Sequence, residues 1–149
     1  MIQLSKEIWI GTSKDAEHAD LKKEGIDGLL NVAHDLQAKR GWSDGILYAQ
    51  CGLVDGPGNR LAIYMAATMM LASMIHLGRK VMIYDHSGGR SVAIVICYFN
   101  LVGRQSWDYW IKEIKDKHEI PEVHVAHRDA FNKINWRLLA SSLWSGDYN

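Results

Sequence analysis

Cysteine and proline are scarce in this chain, with two of each in 149 residues. Two cysteines, Cys51 and Cys97, cannot build the disulfide framework of a small secreted scaffold, so a reducing, cytoplasmic setting is expected. No Pro/Ser-rich linker, low-complexity tract or internal repeat interrupts the sequence. Its length suits one domain, residues 1–149, with a core of its own. Charge of one sign is lacking as well: seventeen basic side chains balance seventeen acidic ones, and the pI is near 7.1. That balance, without a basic stripe or an acidic tail, argues against nucleic acid as a partner and against disorder. Long hydrophobic runs are missing too. The apolar stretches break off well before membrane-spanning length and no Arg-flanked apolar leader is present, so no membrane partner is expected.

What the chain does have is concentrated in Lys80-Val-Met-Ile-Tyr-Asp-His-Ser-Gly-Gly-Arg-Ser91. The apolar run Val81 to Tyr84, bounded by a charge on one side and a glycine loop on the other, predicts a short buried strand. Gly88 and Gly89 then form a tight polar loop. Ser91 suits an N-cap, and Val92, Val95, Ile96 and Phe99 recur at helical spacing behind it. Strand, glycine loop and helix start together aim backbone N–H groups and the positive end of a helix dipole at one point, an arrangement that binds phosphate. Arg90 adds a planar fork of donors suited to phosphoryl oxygens. The candidate phosphate-binding residues are therefore His86, Ser87, Gly88, Gly89, Arg90 and Ser91. Many α/β proteins make the same turn and bind nothing there.

Along the rest of the chain, Glu7 to Gly11 reads as a strand, and a helix beginning at Thr12 or Ser13 runs through Ala16, Ala19 and Leu21 to a C-cap at Gly25. Gly28 to Ala33 is a buried strand, His34 to Asp44 a polar loop, and Ile46 to Leu53 a further strand. Asp55-Gly-Pro-Gly-Asn59 is a turn cluster. A long helix spans Asn59 or Arg60 to His76, its methionines reading as flexible core filling, and Gly78 ends it. A helix begins near Ser106 and carries Trp107, Trp110, Ile111 and Ile114. Two of Trp107, Tyr109 and Trp110 belong to the core at that spacing, leaving one exposed. Pro121 breaks the chain before a last helix from about His127 to Trp144.

These features resemble the dual-specificity phosphatases of the cysteine-dependent protein-tyrosine-phosphatase superfamily. Ile8-Trp-Ile-Gly-Thr12, Gly25-Ile26, Leu29-Leu-Asn-Val32 and Lys80-Val-Met-Ile83 follow the family's pattern, as do Arg90-Ser-Val-Ala93 and Cys97-Tyr-Phe99. The likeness spans about Glu7 to Trp136. It implies an α/β fold of three layers, a central mostly parallel sheet flanked by helices, with the signature loop beyond the C-terminal ends of the strands. It also implies a phosphorylated protein or a phosphate ester as partner, and neither cofactor nor metal.

In the family a cysteine thiolate attacks phosphorus, the loop amides and arginine hold the phosphoryl oxygens, and an aspartate on a neighbouring loop protonates the leaving oxygen. Counted from the strand, Asp85 falls on the nucleophile; counted from the helix with the family's loop length, Tyr84 does. Only four residues separate Asp85 from Arg90 where the family has five, and neither alignment yields a cysteine. Asp55 falls where the family carries its general acid, and Asp55 also suits simple closure of its turn. Cys97 points into packing and Cys51 lacks a cradle of amides. A carboxylate in the cradle repels a phosphate, whereas the same carboxylate is favoured at a helix N-terminus. Asp85 is thus expected to pair with Arg90 and stand in for phosphate itself, the alternative being an ordinary N-terminal acid that faces solvent. His86 reads as solvent-facing or as a proton carrier. His118, His124 and His127 lack the Cys or acidic spacing of a zinc site and read as loop residues.

Three functions fit this pattern. The chain is a pseudophosphatase with a residual phosphate-binding loop, or an active phosphatase working through a non-Cys nucleophile at Asp85 or His86, or a binding scaffold that uses another face.

Overall fold

The computed structural model describes residues 1–37 and 45–144, so part of the loop expected from His34 to Asp44 lies outside the described residues. In order come β1 (Ile2–Gln3), β2 (Ile8–Thr12), α1 (Ser13–His18), β3 (Gly28–Ala33), β4 (Leu47–Leu53), α2 (Leu61–His76) and β5 (Val81–Asp85). Four further helices follow: α3 (Gly89–Val102), α4 (Trp107–Lys115), α5 (Val125–Phe131) and α6 (Trp136–Trp144). The strands form one sheet in the order β1-β2-β5-β3-β4. β2, β5, β3 and β4 are mutually parallel, and only the short β1 runs antiparallel, along the outer edge of β2. The expected α/β architecture, a mostly parallel sheet flanked by helices, is the one observed.

The apolar strands are continuous because the sheet is covered on both faces. Along β2 and β5, Ile8, Ile10, Val81 and Ile83 enter a large cluster with α2 to α6. The alternate residues Trp9, Met82 and Tyr84 enter a smaller one with Ala16, Leu21, Ile26 and Leu29. Side chains alternate across a strand, so the two periodicities of one sequence supply two cores. α3 runs through the larger cluster, and Val92 to Cys97 are all buried.

Three helix boundaries differ from the sequence-based expectation. α1 stops at His18, because Ala19 is extended (φ −68°, ψ 146°). Asp20 then caps a separate turn through the Lys23 N–H (3.2 Å), and Gly25, at φ 77°, closes it. Leu21 stays buried without being helical. α3 begins two residues before Ser91: Gly88 (φ 99°) is its N-cap and the Ser91 hydroxyl is engaged elsewhere. The last helix is two helices. His124 caps α5 through the Ala126 N–H (3.0 Å), and Asn135 starts α6 by accepting from the Leu138 N–H (3.1 Å). The other boundaries agree to within a residue or two, including Ser106 as the cap of α4 and Gly78 (φ 83°) after α2.

Four parallel strands bring their C-terminal ends to one edge: Thr12, Asp85, Ala33 and Leu53 lie side by side there. Loops leaving that edge are where ligands of such sheets bind.

Candidate functional site

Asp85 is the last residue of β5 and pairs in register with Thr12 of β2. Its neighbour Tyr84 points into the smaller core, where burial pushes the phenol pKa up. Asp85 faces the opposite way, toward the start of α3, and is 0% exposed. Its Oδ2 accepts from the Arg90 backbone N–H (3.1 Å) and from Arg90 Nε (3.2 Å). Its Oδ1 accepts from the Ser91 hydroxyl (2.8 Å). A buried charge is tolerable only when paired and hydrogen-bonded, and this one is both. Since Arg90 is the second residue of α3, the carboxylate caps that helix from the strand, the task the sequence had assigned to Ser91.

The loop between them is short and crowded. Gly88 sits in the left-handed region, and a Cβ on it would lie 2.9 Å from Pro121 Cγ. A Cβ on Gly89 would lie 2.7 Å from the Glu122 carbonyl oxygen. Glycine is therefore required at both positions, at one by conformation and at both by the segment lying on the loop. Ser87 and His86 are exposed. His86 turns outward, with Nε2 2.9 Å from Asp35 Oδ2.

Arg90 is 3% exposed, and its guanidinium turns inward. Besides holding Asp85, its Nη1 donates to the Leu53 carbonyl (2.8 Å) and to Asp35 Oδ1 (3.3 Å). Although partial burial works against it, the Asp35 carboxyl stays below its ordinary pKa, drawn down by its own backbone N–H, Arg90 and His86. The sequence reading did not single out Asp35. Its signal was position: it follows β3 by two residues, at the ligand-binding edge of the sheet.

Asp55 is about half exposed and makes no hydrogen bond to the Asp85–Arg90 pair. It belongs to a second cluster. Asp55 Oδ1 lies 3.4 Å from His127 Nε2, His127 Nδ1 lies 2.7 Å from the Tyr64 hydroxyl, and Asn59 Nδ2 donates to that hydroxyl (3.3 Å). A carboxylate only accepts, so Nε2 carries the proton toward Asp55, and the neutral ring's Nδ1 accepts from Tyr64. Burial lowers the His127 pKa despite the nearby carboxylate of Asp55, with His124 and Arg90 lowering it further, so the contact is a hydrogen bond from neutral imidazole. Asn59 also grips the Val54 N–H and carbonyl, both at 2.8 Å. His127, expected at the start of the last helix and, with His118 and His124, to be solvated, is a fully buried residue of α5.

Neither cysteine approaches the loop's donors. Cys97 is buried and its thiol is pushed up to about 12 by burial. Cys51 is buried against the Ile63 carbonyl, and burial raises its pKa as well. Among the described residues, no group of three or more His, Cys, Asp or Glu is placed to hold a metal ion, and no helix is long and apolar enough to cross a membrane. Trp107 is buried, Trp110 is partly buried against Phe99, and Tyr109 is exposed.

No protein-family profile and no curated protein matches the chain. Solved structures do. DUSP15 is 18% identical, with a TM-score of 0.82 over 96% of this chain and 94% of that one. Human DUSP28 is 17% identical, with a TM-score of 0.75 over 92% and 93%. The human tyrosine phosphatase-like serine/threonine/tyrosine-interacting protein is 15% identical, with a TM-score of 0.75 over 88% and 92%. The chain has the fold of the dual-specificity phosphatases.

Proposed function

We propose that this chain is a pseudophosphatase: a single dual-specificity-phosphatase-like domain whose anion cradle is filled by its own Asp85 carboxylate and which does not hydrolyse phosphoesters through cysteine. One observation carries the reading. The buried carboxylate takes the donors, Arg90 N–H, Arg90 Nε and Ser91 Oγ, that a phosphate-holding loop would offer to its ligand. An acyl-phosphate route through Asp85 is disfavoured by the same geometry, because both oxygens are committed and the residue is inaccessible. Asp55 then serves its turn, held by His127, and has no leaving group to protonate.

Magnitude supports exclusion of phosphate. Two unit charges ~4 Å apart at an effective dielectric near 20 repel by about 4 kcal/mol, close to a thousandfold in affinity. The likeness to a phosphatase-like interacting protein fits a role in binding a protein partner in the cytoplasm rather than in turnover.

The test is NMR titration of the unaltered chain with phosphate or vanadate near neutral pH, beside hydrolysis of p-nitrophenyl phosphate. No saturable binding in the micromolar range and no turnover above background are expected. Micromolar binding, or turnover that Arg90→Ala abolishes, overturns the reading. Asp85→Cys separates the lost nucleophile from the short loop: activity gained there indicts the side chain alone, and continued silence indicts the loop's length.

A further inference from the structure

The Arg90 guanidinium carries two carboxylates, and they are not equivalent. Asp85 is sealed beneath the loop and fixed by Ser91. Asp35 lies at the surface with its side chain 48% exposed. Two segments distant in sequence converge on it, His86 from the loop after β5 (2.9 Å) and Arg90 from α3 (3.3 Å), while its own neighbour His34 lies beside it with Nδ1 3.6 Å from Oδ1 and 3.3 Å from the Leu53 carbonyl. Donors drawn from the loop and from α3 onto one exposed carboxylate make a subsite with an occupant already in it. Its floor does not depend on that occupant. Arg90 Nε is pinned by Asp85 and Nη1 by the Leu53 carbonyl, so the donor aimed at Asp35 stays in place when Asp35 swings away.

Resting on the reading that Asp85 is the permanent inner occupant, we propose that the mouth formed by His34, His86 and Arg90 is a docking subsite for a carboxylate of a protein partner, an acidic side chain or a chain terminus, with Asp35 as its built-in competitor. The ligand class follows from charge. A carboxylate brings one negative charge up to a guanidinium already neutralised by Asp85, whereas a phosphate monoester brings nearly two, and the repulsion from the buried carboxylate grows in proportion. The exposed donors, His86 at 46% and His34 at 53%, are open to a partner. His86 and Arg90 are placed to take the two oxygens of one planar carboxylate, as Asp35 now offers Oδ2 to the first and Oδ1 to the second.

The experiment is NMR titration of the full chain with acetate and, separately, with inorganic phosphate, for wild type, Asp35→Ala, Asp35→Ala/His86→Ala and the remote charge control Glu24→Ala. Asp35→Ala is expected to bind acetate at least tenfold more tightly than wild type, with shifts centred on His86 and Arg90. The double variant is expected to lose most of that gain, and Glu24→Ala to show none. The proposal is overturned if Asp35→Ala gains nothing, if the gain survives His86→Ala, if Glu24→Ala reproduces it, or if Asp35→Ala prefers phosphate. Each of these leaves the pseudophosphatase reading standing. That reading falls on micromolar phosphate or vanadate binding by wild type.

Discussion

At the scale of single residues, Asp85 and Arg90 were legible because they are five positions apart and meet across one turn of chain. Arg90 with Asp35, and Tyr64 with His127, are separated by 55 and 63 residues, and no local pattern announces such contacts. Ser91 was misread because a serine at a helix start signals a cap, and although Asp85 was expected at the same helix end, no local pattern shows that the carboxylate takes both the Arg90 N–H and the Ser91 hydroxyl. Removing the hydroxyl leaves one oxygen of a buried carboxylate without its donor. Ser91→Ala should therefore destabilise the chain by about 1–3 kcal/mol in urea unfolding. His127 carries a second residue-scale prediction. Its folded pKa is lowered by burial, so between the ordinary value of 6.5 and that lower pKa the unfolded chain binds more protons. Stability from this group is complete above 6.5 and falls as pH drops through the interval. NMR should show His127 titrating below 6.5, and unfolding midpoints should decline over the same range; His127→Gln should flatten the decline.

At the scale of elements, short apolar runs bounded by turn residues located the strands from β2 to β5 and helical spacing the bodies of the helices, while their ends were settled by contacts that neither pattern encodes. The single helix expected from His127 to Trp144 became two because Asn135 offers a cap in mid-run. α1 ended early because Leu21 reaches the smaller core from a turn as well as from a helix. The start of α3 depends on the segment 121–122 pressed against the glycines. Gly89→Ala drives a Cβ to within 2.7 Å of a backbone oxygen, which no rotamer change relieves. A cost of roughly 1–3 kcal/mol is expected, with NMR shifts spreading from Gly89 to Glu122 and Val123. Wild-type behaviour in both measurements would mean the two segments do not pack as described.

At the scale of the whole molecule, a β-strand pattern alternating with helices, and a resemblance carried by short motifs from Ile8 to Phe99, were enough for the layered architecture. The likeness to DUSP15 at a TM-score of 0.82 and 18% identity shows how little sequence that architecture needs. The occupied cradle should make the entire fold indifferent to phosphate. A ligand of Kd near 10 µM would stabilise the native state by about 4 kcal/mol at ~10 mM and raise its melting midpoint by roughly 8–16 °C. Thermal denaturation of wild type at neutral pH should instead show the same midpoint with phosphate as in chloride of equal ionic strength. A shift of several degrees would mean that the loop admits the anion.

The carboxylate at the end of β5 does two jobs at once, closing the helix and neutralising a buried guanidinium. A sulfur placed there could do either only once ionised, at a position where the carboxylate is ionised without help and offers two oxygens instead of one acceptor. Any lineage carrying this acid would have to become less stable before it could become reactive, which makes the position a ratchet that holds the protein on the non-catalytic side.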